Sequence, residues 1–102
     1  MLTQRVDLLR LRRAAVGGDL EVAEVFAGLA ALVQGKQQQL MDDQGRQVTA
    51  MAVVYLEAAA PIDTKREDWR IRWEERDWEV VAVHKEIDAA NGQVHHLKVG
   101  IR

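Results

Sequence analysis

The amino-acid sequence predicts a mainly β protein, a small antiparallel β-barrel of about six strands with long loops, and three observations carry that prediction. First, Trp69, Ile71 and Trp73 alternate with Arg70 and Arg72, the period-two pattern of a strand with one buried and one wet face. Second, two further alternating apolar runs follow, Trp78–Lys85 and Gln93–Arg102. The last of these sets His95, Leu97, Val99 and Ile101 against His96, Lys98 and Arg102. Third, the link between them, Asp88-Ala89-Ala90-Asn91-Gly92, ends in Asn-Gly, where a positive φ is cheap. Residues 68–102 therefore read as a β-meander around which the rest of the chain is organised.

Taken in order, Gln4–Arg12 alternates at Val6 and Leu8 and slips phase at Leu8-Leu9. The slip suits a bulge in a first strand or, alternatively, a first helical turn. Arg13–Asp19, with Gly17-Gly18, is expected as a loop. Over 19–34 two patterns compete. Asp19 can cap a short helix whose one face carries Leu20, Ala23, Phe26, Ala27, Ala30 and Val33, and the alanines favour it. Val22, Val25, Phe26 and a mid-segment Gly28 suit a bent strand, and an all-β context favours that reading from about Glu24 to Val33.

Lys36–Arg46 is polar and glutamine-rich, and Gln37-Gln38-Gln39-Leu40-Met41 before Asp42-Asp43-Gln44-Gly45 reads as one arm of a hairpin and its turn. Gln47–Glu57 is expected as a single strand, with Val48, Ala50, Ala52, Val54 and Leu56 on one face and Met51, Val53 and Tyr55 on the other. A strand apolar on both faces is central or lies against another subunit. Ala58–Asp63 ends it, and Thr64–Glu67 is a charged connector. Glu74-Glu75-Arg76-Asp77 is expected as a four-residue loop across which Trp73 and Trp78 meet, a pair worth roughly 0.5–1.5 kcal/mol beyond its buried area.

Composition bounds the function. The 102 residues suit one domain, 1–102, with a modest core. There is no cysteine, so neither disulfides nor thiolate zinc sites hold the fold. No segment has the ~20 uninterrupted apolar residues of a membrane helix, and the arginine-bearing N-terminus is unlike a signal peptide. A cytoplasmic protein without membrane contact is the expectation. The net charge of −2 gives no general pull toward nucleic acid.

The chain has no serine or cysteine nucleophile, only Thr3, Thr49 and Thr64. Gly17-Gly18 lacks the lysine and hydroxyl of a phosphate loop. The acidic pairs Asp42-Asp43 and Glu74-Glu75 are expected in solvated turns and not as a catalytic carboxylate pair. His95 and His96, adjacent on a strand, should point to opposite faces and share no ion, which leaves His84 with one of them as the metal-site alternative. Arg5, Arg10, Arg12 and Arg13, with Arg70 and Arg72, raise a second alternative, a nucleic-acid-binding or regulatory barrel. Trp69 and Trp73 lie on the face opposite Arg70 and Arg72, so stacking and charge are separated, and a solvated face of mixed sign is preferred. The expectation is no enzyme, no cofactor, no metal and no small-molecule substrate, but a protein that works through its surfaces.

The order of parts resembles the small head–tail joining proteins of tailed phages and prophages, the head-completion, stopper or adaptor family. The match runs through Val6-Asp7-Leu8-Leu9-Arg10, Val25-Phe26-Ala27, a long variable hairpin and Val48–Leu56. It ends on Asp68-Trp69-Arg70-Ile71-Arg72-Trp73, Trp78-Glu79-Val80, a turn with Asp88, and Leu97-Lys98-Val99. Two departures are the turn after Trp73, which lacks a glycine, and Phe26 in place of the usual tryptophan. The resemblance implies a barrel that assembles as a ring below the portal, touching portal or adaptor and tail proteins, with packaged DNA in reach. It implies a path from the host cytoplasm into the virion, at the head–tail interface. By position it points to Lys36, Gln37, Gln38, Gln39, Asp42, Asp43 and Arg46 of the hairpin, and Lys65 and Arg66 of the connector, as interaction residues.

Overall fold

The computed structural model describes residues 2–42, 44–62, 69–87 and 89–102. Its strands are β1 (Gln4–Arg13), β2 (Leu20–Gln34), β3 (Gln38–Met41), β4 (Gln47–Ala50), β5 (Ala52–Glu57), β6 (Trp69–Trp73), β7 (Arg76–Ile87) and β8 (Val94–Ile101). Six of them close into a barrel in the order β1-β2-β5-β8-β7-β6, and β3 pairs with β4 in a separate two-stranded sheet. Every pairing is antiparallel, including β1 with β6, which closes the ring through Asp7↔Arg72 to Arg10↔Trp69.

Alternation decides which side chains enter. Val6 and Leu8 of β1, Val54 and Leu56 of β5, Trp69 and Ile71 of β6, Val80 and Val83 of β7, and Leu97, Val99 and Ile101 of β8 fill the interior together with Ala31, Ala52 and Ile62. Fully burying a Leu, Ile or Val is worth about 1.5–3 kcal/mol, and Leu8, Val54, Leu56, Ile71, Val99 and Ile101 are wholly inaccessible.

The segment 19–34 forms no helix. Strand β2 runs its whole length, because a helix would leave the outer edge of β1 unpaired and its apolar residues without a core. Its bend is a bulge: Val6 faces Leu29 while Leu8 faces Phe26, so Ala27 and Gly28 both oppose Asp7. Gly28 takes a φ of 67°, and its freed groups are satisfied locally. Its N–H donates to Asp7 Oδ1 at 2.9 Å, and its carbonyl accepts from Arg5 Nη1 at 3.1 Å. The backbone of β1 does not slip at Leu8-Leu9; the bulge lies on its partner, opposite Asp7. β1 itself stays regular against β6, and Leu9 is buried on the face opposite Leu8.

Gln47–Glu57 is two strands rather than one. Met51 forms a bend whose N–H still donates to the Ile101 carbonyl at 2.8 Å, and the bend reverses the phase. Ala52, Val54 and Leu56 face the barrel interior, as expected. Val48 and Ala50 instead join Val53 and Tyr55 outside it, and Met51 projects into solvent. Outside the barrel these residues, with Leu40, Val81 and Ala82, build a second, smaller core that glues the β3–β4 hairpin to the wall. Strand β7 reaches it through a bulge, since Val80 faces Ile101 and Ala82 faces Gly100, leaving Val81 as the extra residue. At the centre of this contact stands Gly100. A Cβ there would lie 2.6 Å from Leu40 Cδ1, 3.1 Å from Ala50 Cβ and 3.4 Å from Val81 Cγ2.

The link after Trp73 is tighter than the expected four-residue loop. Trp73 pairs with Arg76, so only Glu74 and Glu75 turn the chain, both left-handed at φ 52° and 63°. That is the primed turn whose twist suits a hairpin, made here without glycine. Trp73 and Trp78 touch as diagonal neighbours with ring centroids 6.1 Å apart. The turn at Asp42–Gly45 and the one ending in Gly92 carry the expected positive φ at their glycines; Asp88 lies outside the described residues.

Two outcomes test this account. A left-handed non-glycine residue costs roughly 1–2 kcal/mol, so Glu75→Gly should stabilise the protein by about 1 kcal/mol and raise Tm by about 4–8 °C. An unchanged or lower Tm would mean that the turn carries no strain. Gly100→Ala should cost about 1–3 kcal/mol in a urea titration by overfilling the hairpin seat. Amide exchange should then speed up across Gln38–Ala50 while Val54 and Val99 stay protected.

Candidate functional site

Three surfaces stand out from the barrel. The first is the β3–β4 hairpin, and its residues divide by role. Lys36, Gln37, Gln39 and Arg46 are exposed, and Gln38 is half-buried. Asp42, expected among the interaction residues, is buried at 6 % exposure. It is consumed in making the turn: Oδ1 accepts from the Gln44 N–H at 2.9 Å and the Arg46 N–H at 2.8 Å, an Asx-type closure. The Arg46 guanidinium lies 3.5 Å from Asp42 Oδ2 and donates to Gln44 Oε1 at 2.6 Å, which orients it over the turn. Asp43, Lys65 and Arg66, and with them the connector Thr64–Glu67, lie outside the described residues. The hairpin is seated by Leu40 and Ala50 and pinned by His84, whose Nε2 is 2.6 Å from the Met41 carbonyl. A carbonyl only accepts, so that nitrogen carries the proton.

The second surface is the free end of the β1–β2 hairpin. Strand β2 pairs with β5 only from Ala31 to Gln34, whereas its pairing with β1 continues to Arg13↔Leu20. Residues 11–22 therefore project beyond the barrel as a two-stranded arm. Its faces differ. Arg10 pairs with Glu24 at 3.5 Å and Arg12 with Glu21 at 2.8 Å on one side. Leu20, Val22 and Val25 lie on the other, 44 %, 44 % and 51 % exposed, and Val16 at the tip is 90 % exposed. Sequence reasoning missed the arm. The alternation of valines with glutamates from 20 to 25 was its signal, hidden by the competing helical pattern.

The third surface is a groove of about 470 Å³ on the outer face of β2, β5 and β8, lined by Leu2, Leu32, Gln34, Tyr55, Glu57, Ala58, His95 and His96. The two histidines do not point to opposite faces. Glu86 faces His96 while Ile87 faces Val94, so His95 is the extra residue of a bulge. Their Nδ1 atoms come within 2.8 Å, and the His96 ring stands edge-on to Tyr55 at 5.5 Å. His84 is held apart by its bond to Met41. Among the described residues no group of three or more His, Asp or Glu is placed to hold a metal ion.

Five of the six arginines that suggested nucleic acid, all but Arg70, have partners within the fold. Arg10 and Arg12 hold Glu24 and Glu21, Arg5 and Arg13 donate to the carbonyls of Gly28 and Gly18, and Arg76 stacks over Trp78 at 4.1 Å. Arg72 makes a two-pronged bond to Asp77 at 2.7 and 3.3 Å. That bond holds the Asp77 carboxyl below its usual range and raises the guanidinium of Arg72. Trp69 is buried and Trp73 packs against the core on the face opposite Arg70 and Arg72, as the alternation predicts, so neither is a free stacking platform.

No family model matches the chain, and no curated protein matches it. Among solved structures, a chain of the "Virion of native gene transfer agent (GTA) particle" superposes with a TM-score of 0.63 at 20% identity. The match covers 100% of this chain and 94% of that one. At that identity the likeness establishes a shared fold.

Proposed function

We propose that this chain is a structural protein of a phage or phage-like particle. In finer terms it is a head–tail connector, of the adaptor or stopper kind, that joins the capsid portal to the tail by assembling as a ring. The observation that carries the reading is the whole-length fold match to a chain of a virion. It agrees with the order of parts in the sequence and with a surface whose conspicuous features are contact devices, an apolar-faced arm and a separately seated polar hairpin. The role is one of contact rather than catalysis. Its partners are copies of itself, portal or adaptor proteins on one side and tail proteins on the other, with packaged DNA in the channel. It acts after synthesis in the host cytoplasm, at the head–tail interface.

In this reading the exposed hairpin residues Lys36, Gln37, Gln39 and Arg46 touch a neighbouring protein, with Gln38 beside them, whereas Asp42 shapes the turn that presents them. Asp43, Lys65 and Arg66 belong to the same proposal by sequence position. The test is complementation in a strain whose particles depend on this chain. Without the chain, filled heads and free tails should accumulate separately in electron micrographs. Lys36→Glu/Gln37→Glu/Gln39→Glu, which leaves Leu40, Asp42 and Arg46 in place, should reproduce that defect while the purified variant keeps its Tm. Joined particles in the strain lacking the chain would sink the reading.

A further inference from the structure

The connector reading leaves open how one copy would hold the next. We infer that the β1–β2 arm of one copy seats in the Leu2–Leu32–Tyr55–Ala58 groove of a second copy, head to tail. The inference rests on the ring reading above and supplies its contact.

The two surfaces complement each other and lie apart on the molecule. The arm offers an apolar face of Leu20, Val22 and Val25 with Val16 at its tip, four of the seven large apolar side chains exposed on the described surface. Such a projecting apolar face calls for a cover. Strand β2 also leaves its outer edge unpaired from Leu20 to Ala30 among the described residues, with no proline or lysine to block further pairing. The groove offers Leu2, Leu32, Tyr55 and Ala58 as its apolar floor.

Charge selects the second copy as occupant. Arg13 ends β1 beside the arm's tip and, among the described residues, meets no carboxylate; its guanidinium donates only to the Gly18 carbonyl. On the groove side Glu57 faces His96 from β5 and Glu86 faces it from β7, and neither has an ion-pair partner among the described residues. The arm thus brings a cation without a carboxylate partner among the described residues, Arg13, and the groove's lining a carboxylate without an ion pair among them, Glu57. Because arm and groove are different patches of one surface, the contact is heterologous and repeats from copy to copy, closing as a ring or continuing as a filament.

The absence of native cysteine makes the test clean. In the full chain at high concentration under mild oxidation, the double variant Val22→Cys/Ala58→Cys should give a ladder of disulfide-linked oligomers, and each single variant should stay monomeric. Both positions are at the surface, and an unchanged Tm will show that the variants fold. Independently, Arg13→Glu should weaken self-association about fivefold, and Glu57→Arg in the same chain should restore it. A dimer from Val22→Cys alone, as strong as the double variant's, would mean that β2 edges pair with each other and would overturn the arm-in-groove contact while leaving ring assembly standing. No ladder with any variant would overturn the proposed contact, and the connector reading would then stand or fall on the complementation test.

Discussion

The barrel depends on the pairing of β1 with β6. Four residues on each strand, Asp7–Arg10 and Trp69–Arg72, turn an open six-stranded sheet into a ring. An open sheet of this size would show edges to solvent on both sides and bury one face against nothing. Closure puts Leu8 against Ile71 and brings Trp69 under Phe26, whose ring centroid lies 6.2 Å away. The same pairing leaves Leu9 on the outer side of β1, and the charged partners Asp7 and Arg72 beside it. Interior and exterior are therefore decided together, by one register.

From that register the working surfaces follow as leftovers. Once β1 has used Asp7–Arg10 to close the ring, its last residues and the first half of β2 have no third strand, and they stand free as the arm. Once β5, β7 and β8 have filled the interior with alternate residues, Val53, Val81, Ala82 and Gly100 remain on the outside, and the β3–β4 hairpin settles there. The hairpin has a core of its own, so its polar rim can change without disturbing the barrel, provided that Leu40, Asp42 and Ala50 stay.

Much of the barrel was legible in the sequence, because alternation survives wherever a strand is regular. Trp69–Trp73, the inward positions Leu97, Val99 and Ile101 of β8 and the left-handed glycines at 45 and 92 needed no tertiary information. What escaped were places where one residue breaks the period. Met51 inverts the phase between β4 and β5, and His95 lets two neighbouring rings meet. Neither leaves a mark in composition, since a bulge is a property of two strands and a sequence displays one. The turn at Glu74-Glu75 was obscured for a related reason: the ladder of β6 with β7 imposes a conformation that local preference resists. Of the hairpin residues expected to touch partners, Asp42 also builds the turn, a role that its place in the sequence does not distinguish from awaiting a ligand.

The extra residue at Val81 has a bearing on how such a molecule can vary. It uncouples the two halves of β7: the first half takes its phase from β6, the second from β8, and the slack between them is absorbed at one site. Lengthening or shortening the chain on one side of that joint need not rotate the side chains on the other. The wall that bears the hairpin can thereby drift in size over generations while the enclosed core keeps its packing.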